Sequence, residues 1–141
     1  TGDLNSPLAD IKMDIHNMPF ENNIFDVVLC NHVLEHVKDD ILALKEIRRV
    51  LKKGGYSILQ VPFYHPLQNK TLEDKSITDP LEREKKYGQS DHVRKYGKDY
   101  NKRLTSIGFK VDENNYINKL SEDLKRKYGL SKNEVIFIAS K

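Results

Sequence analysis

Apolar positions along the chain switch between periods of about two, none and about 3.6, and those switches divide it into elements. Ala9-Asp10-Ile11-Lys12-Met13-Asp14 alternates and predicts a short, half-buried strand. From Phe25 to Leu29 the alternation stops. Val27, Val28, Leu29 and Cys30 run on without a polar break, as in a strand buried on both faces at the centre of a parallel sheet. Ile41, Leu44, Ile47 and Leu51 then share one helical face, with Lys45, Glu46 and Arg49 directed outward. Asp39 and Asp40 are its N-cap candidates, and Lys52-Lys53-Gly54-Gly55 is expected to stop it, Gly54 taking the left-handed C-terminal position. Tyr56 to Val61 is the next strand, ended by Pro62, so strand, helix and strand have βαβ spacing.

The pattern is lost from Pro62 to Gly97, a stretch read as a lid or substrate-loop insertion within one domain spanning 1–141. It holds one predicted helix, with Asp79 as N-cap, Pro80 at the first position and Gly88 as stop. Tyr100, Leu104 and Ile107 predict another helix, capped by Gly108, before a Phe109-Lys110-Val111 strand. Ser121 to Tyr128 reads as a helix closed by Gly129, and Glu134 to Ala139 as the last strand. Strands alternating with helices make the class α/β.

Composition narrows the picture. The chain has 141 residues, 32% charged and 38% hydrophobic, which fits one water-soluble domain. Its apolar runs fall short of the roughly 20 residues of a membrane span, and its first residues do not read as a signal peptide, so a cytoplasmic location is expected. The formal charge of +3 comes from lysines scattered among acids and carries no clear nucleic-acid signal. Cys30, the single cysteine, lies in an apolar run and reads as a buried free thiol.

His32-Val33-Leu34-Glu35-His36 matches the H-x-x-E-H pattern of a class of zinc peptidases. That chemistry needs both histidines on one helical face, Glu35 as general base and a third ligand. The motif instead follows a buried strand and precedes the helix caps, so its residues are expected in the connection, and no metal is assigned.

Three blocks, Asp14-Ile15-His16-Asn17-Met18-Pro19-Phe20, Phe25 through Val37, and Arg49-Val50-Leu51-Lys52-Lys53-Gly54-Gly55, resemble in order and spacing the second half of the class I S-adenosylmethionine-dependent methyltransferases. The resemblance implies a Rossmann-like sheet with flanking helices and a terminal antiparallel strand pair. S-adenosyl-L-methionine would lie across the carboxyl ends of its strands, where open α/β sheets bind ligands. It implies that Asp14 bonds the adenine amino group with Ile15 beside the ring. Asn31 and His32 pass under the methionine end, and Asp3 stands in the place of the acid that binds the ribose hydroxyls. The link from Asp3 to the Ala9 strand is far shorter than the dozen or more residues of a helical crossover between parallel strands.

Glu35, Tyr64, His65, Arg94 and Tyr96 are candidates for contact with the methyl acceptor, and His36 and His92 for proton removal where the nucleophile arrives protonated. The family's first strand and glycine-rich turn have no counterpart here, so the fold is expected truncated at its N-terminus, with poor cofactor binding and exposed strand edges that favour a homodimer. The alternative is a non-catalytic remnant acting as an interaction or self-association module.

Overall fold

The computed structural model describes residues 1–131 and 134–141. A four-stranded sheet in the order β3 (Phe25–Asn31), β4 (Leu51–Gln60), β8 (Ile136–Ser140), β7 (Lys110–Asn114) forms its centre. β3 and β4 are parallel, with α1 (Asp40–Val50) between them in sequence. β8 runs antiparallel to both β4 and β7, giving the expected terminal antiparallel pair.

Capping chemistry sets the helices. Asp39 accepts from the Leu42 N–H at 2.9 Å and starts α1, while Asp40 is its first helical residue and is buried. α2 (Pro80–Tyr87) runs from Asp79, which accepts from the Glu82 N–H at 2.9 Å, to Gly88 at φ 94°, as its sequence predicts. α3 (Tyr100–Ser106) and α4 (Glu122–Lys127, capped by Ser121) fall on the other two predicted helices. A 3-10 turn over Tyr116–Lys119 has no periodic signature.

Ala43, Leu44, Ile47 and Val50 of α1 are buried against Cys30, Leu51 and Leu59, with Leu34, Tyr96, Tyr100, Leu104 and Phe137 closing the core. Leu44, Ile47 and Leu59 are fully buried, each worth about 1.5–3 kcal/mol relative to exposure.

Four expectations are corrected. β3 is an edge strand of its sheet rather than a central one: Val27 is 41% and Leu29 66% exposed, and only Cys30 is fully inside. An apolar run fits a two-sided strand only where a neighbour covers the second face, which here is open. The Ala9 to Asp14 segment shrinks to β2 (Ile11–Lys12), exposed and parallel to β1 (Gly2–Asp3) in a separate two-stranded sheet. A short loop suffices for this parallel pair because each strand is only 2 residues long and the return path is short.

α1 stops one turn earlier than expected, Leu51 going straight into extended backbone. Gly54 is left-handed, at φ 79°, but inside β4, where its N–H donates to the Lys141 carbonyl at 3.2 Å. A Cβ on the adjoining Gly55 would stand 2.9 Å from the Asp26 carbonyl oxygen, so this irregular end of β4 depends on glycine. Finally, 62–97 is not strandless: β5 (Leu72–Glu73) pairs antiparallel with β6 (Arg94–Lys95).

Candidate functional site

The site grows from the carboxyl end of β3. The His32 N–H donates to the Gln60 carbonyl at 2.9 Å, the last rung of the parallel ladder, and His32 itself takes φ 54°. That left-handed residue turns the chain sharply and sends Val33 to Val37 through turns rather than a helix. His32 and His36 therefore share no helical face, as their place in the connection predicts. Asn31 and His32 are exposed at the strand end, while Glu35 is folded inward to 1% exposure.

His92 returns from the other side of the chain to meet this turn, guided by the Val93 N–H donating to the Glu35 carbonyl at 2.9 Å. The rings of His36 and His92 meet edge to face with centroids 4.7 Å apart, and Tyr64 stands 6.5 Å from His92. Glu35 Oε1 lies 3.4 Å from His32 Nδ1 and 3.9 Å from His36 Nε2, and Asp91 Oδ2 lies 3.1 Å from His36 Nδ1. Six chemistry-bearing side chains from three stretches of the chain thus form one cluster. Asp91 is the member that the sequence reading left unassigned; its place beside His92 in the Asp91-His92-Val93-Arg94 run was the available signal.

Burial, and then His36, lower the His92 pKa, so its imidazole stays neutral further into the acid range. Burial, and then the Glu35 charge, raise that of Tyr64. Two atoms of the cluster, Glu35 Oε2 and His92 Nδ1, are buried with no hydrogen-bond partner among the described residues. One ligand-capable atom each from Glu35, His36 and His92 lies within 4.8 Å of the others.

Arg94 and Tyr96, expected to meet substrate, are instead interior supports. Arg94 is buried and donates to the carbonyls of Leu34, Val37 and Lys38 and to Glu73 Oε2. The Tyr96 hydroxyl donates to Asp40 Oδ2 at 2.8 Å and lies 3.2 Å from the Leu34 carbonyl. Asp40 is held in turn by Arg103 at 2.7 Å. Four of its five N–H donors are taken by three carbonyls and a carboxylate, and the side chain is only 3% exposed, so it does not face a ligand. His65 is exposed and lines a separate hollow with Phe63, Tyr100 and Phe137.

The other cofactor candidates form self-capping turns. Asp3 Oδ1 accepts from the N–H groups of Asn5 and Ser6, which lower its pKa. Asp14 Oδ1 accepts from the His16 N–H at 2.9 Å and meets His16 Nδ1 at 2.6 Å. His16 Nε2 accepts from the Asp39 N–H at 3.3 Å, joining the turn after β2 to the start of α1. Ile15 is partly buried against the core.

A parallel βαβ unit continued by an antiparallel strand pair, with polar clusters at the strand ends, has the fold of the class I methyltransferases. A solved neighbour is the 1,6-didemethyltoxoflavin-N1-methyltransferase of Burkholderia thailandensis, with S-adenosylhomocysteine bound. It superposes with a TM-score of 0.60 at 13% identity over 99% of this chain and 59% of its own. Residues 3–59 match the family described as "Methyltransferase domain".

The demethylmenaquinone methyltransferase of Staphylococcus haemolyticus is 52% identical over 42 residues, 30% of this chain and 18% of that protein. An uncharacterized protein of Methanocaldococcus jannaschii is 52% identical over 51 residues, 36% of this chain and 22% of its own length. The matched segment spans about a fifth of the length of such relatives.

Proposed function

We propose that this chain is part of an S-adenosylmethionine-dependent methyltransferase that acts on a small-molecule acceptor. The observation that carries the reading is the coincidence of the methyltransferase match over residues 3–59 with the polar cluster at the carboxyl end of β3, where sheets of this class bind ligands. A relative named for methyl transfer to demethylmenaquinone and a neighbour with S-adenosylhomocysteine bound support the cofactor and the small acceptor.

In this reading Asn31 and His32 underlie the methionine end of the cofactor, Asp14 and Ile15 meet the adenine, and Asp3 meets the ribose. Tyr64 borders the acceptor. His92, with its lowered pKa, and His36 stand ready to take a proton from it. The cofactor's sulfonium is intrinsically reactive, so the protein's work is alignment of the nucleophile and exclusion of water. The described helices include none long and apolar enough to cross a membrane, and a cytoplasmic enzyme is the simplest setting.

Titration of the chain with S-adenosylhomocysteine, followed by amide chemical shifts, tests this. Perturbations centred on Asp14, Ile15, Asn31 and His32 are expected, even where binding is weak. Shifts confined to other surfaces, or none at saturating solubility, would remove the reading. A second reading, self-association, is favoured by the open, apolar β3 edge with Val27 and Leu29 exposed.

A further inference from the structure

We infer that Glu35, His36 and His92 form a binding site for a divalent transition-metal ion of the zinc type, seated between the turn after β3 and the segment that follows α2. The H-x-x-E-H spacing pairs His32 with His36, but the fold exchanges the first histidine for His92, 57 residues further along than Glu35. Two imidazoles and a carboxylate are a donor set that suits zinc and leaves a coordination position open.

Several independent features point to an ion. Burying a carboxylate oxygen and an imidazole nitrogen without partners is costly, and Glu35 Oε2 and His92 Nδ1 are both in that state within side chains only 1% and 3% exposed. With no partner among the described residues, Nδ1 of His92 can present its lone pair to an ion. Asp91 stands 3.1 Å from His36 Nδ1, favouring the proton there and leaving Nε2, the atom 3.9 Å from Glu35, free to ligate. A carboxylate behind a ligating histidine is the arrangement that orients imidazoles on zinc.

The three ligand atoms lie within 4.8 Å of one another, whereas bonds of about 2.0–2.1 Å to a tetrahedral ion would separate them by about 3.3 Å. Closing that gap takes up to about 1.5 Å of side-chain movement, and His36 is the partly exposed member able to supply it. On the methyl-transfer reading, on which this role alone rests, the ion would take the place of His36 and His92 as free bases: its open position would take an acceptor oxygen and lower its pKa before methyl transfer.

The test is titration of the metal-free chain with Zn2+ by competition against a chromogenic chelator, and with Co2+ by visible absorption, both without cofactor. One equivalent per chain is expected, with the intense visible bands of a four- or five-coordinate cobalt centre. His36→Ala and His92→Ala should each abolish that equivalent, and Asp91→Asn should weaken it about tenfold. Circular dichroism checks that each variant is folded; His36, being partly exposed, is the substitution least able to disturb the core. No uptake by the folded chain, or uptake that survives both histidine substitutions, overturns the site. Because the cofactor is left out, that result would leave the S-adenosylhomocysteine titration to decide methyl transfer separately.

Discussion

Arg94 donates through Nη1 to the main-chain carbonyl of Leu34, sixty residues earlier, and through the same nitrogen to that of Val37. The turn that carries Glu35 and His36 is therefore shaped by a residue from the far side of the molecule. Replacing Arg94 with Met fills similar space but strands three carbonyls and breaks the pair with Glu73. A loss of about 3–5 kcal/mol in urea unfolding is expected. Arg94→Lys should recover only part of it, since an ammonium cannot span the same fork of acceptors.

Tyr96→Phe removes the phenolic donor from buried Asp40 while leaving the two Arg103 bonds in place. Its cost should be about 1–2 kcal/mol, at the low end for a bond to a charged group. A loss measured in the same way but near zero would place the Asp40 charge on Arg103 alone.

Glu73 titrates below its ordinary 4.5: burial works against this, but bonds from Arg103 and Arg94 outweigh it. The unfolded chain takes up that proton more readily than the folded one, so the contribution is complete above 4.5 and fades as pH falls through the folded value. Glu73→Gln should be less stable than the parent at neutral pH, and the gap should narrow as pH falls below 4.5. Urea midpoints across that range measure it.

Cys30 is buried, and burial, with the Glu35 charge behind it, pushes its thiol up to about 12. A thiol-specific reagent at neutral pH should label the native chain at least about a hundredfold more slowly than the unfolded one. Fast native labelling would mean that β3 opens locally.

Leu29 is 66% exposed on an edge strand, so Leu29→Lys should leave stability within about 0.5 kcal/mol of the parent. Light scattering of the parent should show mass rising with concentration, and the lysine variant should remain monomeric. A parent monomeric throughout would remove β3 as a contact between copies.

Local chemistry made the helices readable. Asp39 and Asp79 sit three residues before the N–H groups they cap, and Pro80 and Gly88 bracket α2, so each signal and its effect lie within one turn of chain. The β3–α1–β4 core was readable for a similar reason, its apolar positions being consecutive or helically spaced. What sequence left closed was set at a distance. Whether Val27 and Leu29 are buried depends on a neighbouring strand, not on their own run. Arg94 and Tyr96 look like loop residues until their partners at Leu34 and Asp40 are known. His36 and Glu35 were visible as a motif, but their convergence with His92 and Asp91 needed the fold.

α1 is gripped at both ends by opposite halves of the chain. Near its start, Asp40 is held by Tyr96 and Arg103; near its finish, Glu46 accepts from the Met18 N–H and Arg49 donates to the carbonyls of Met18 and Phe20. The helix works as an axle between two walls that share no strand pairing. The turn around Glu35 and His36 and the loop after Asp14 are thus braced through one and the same helix.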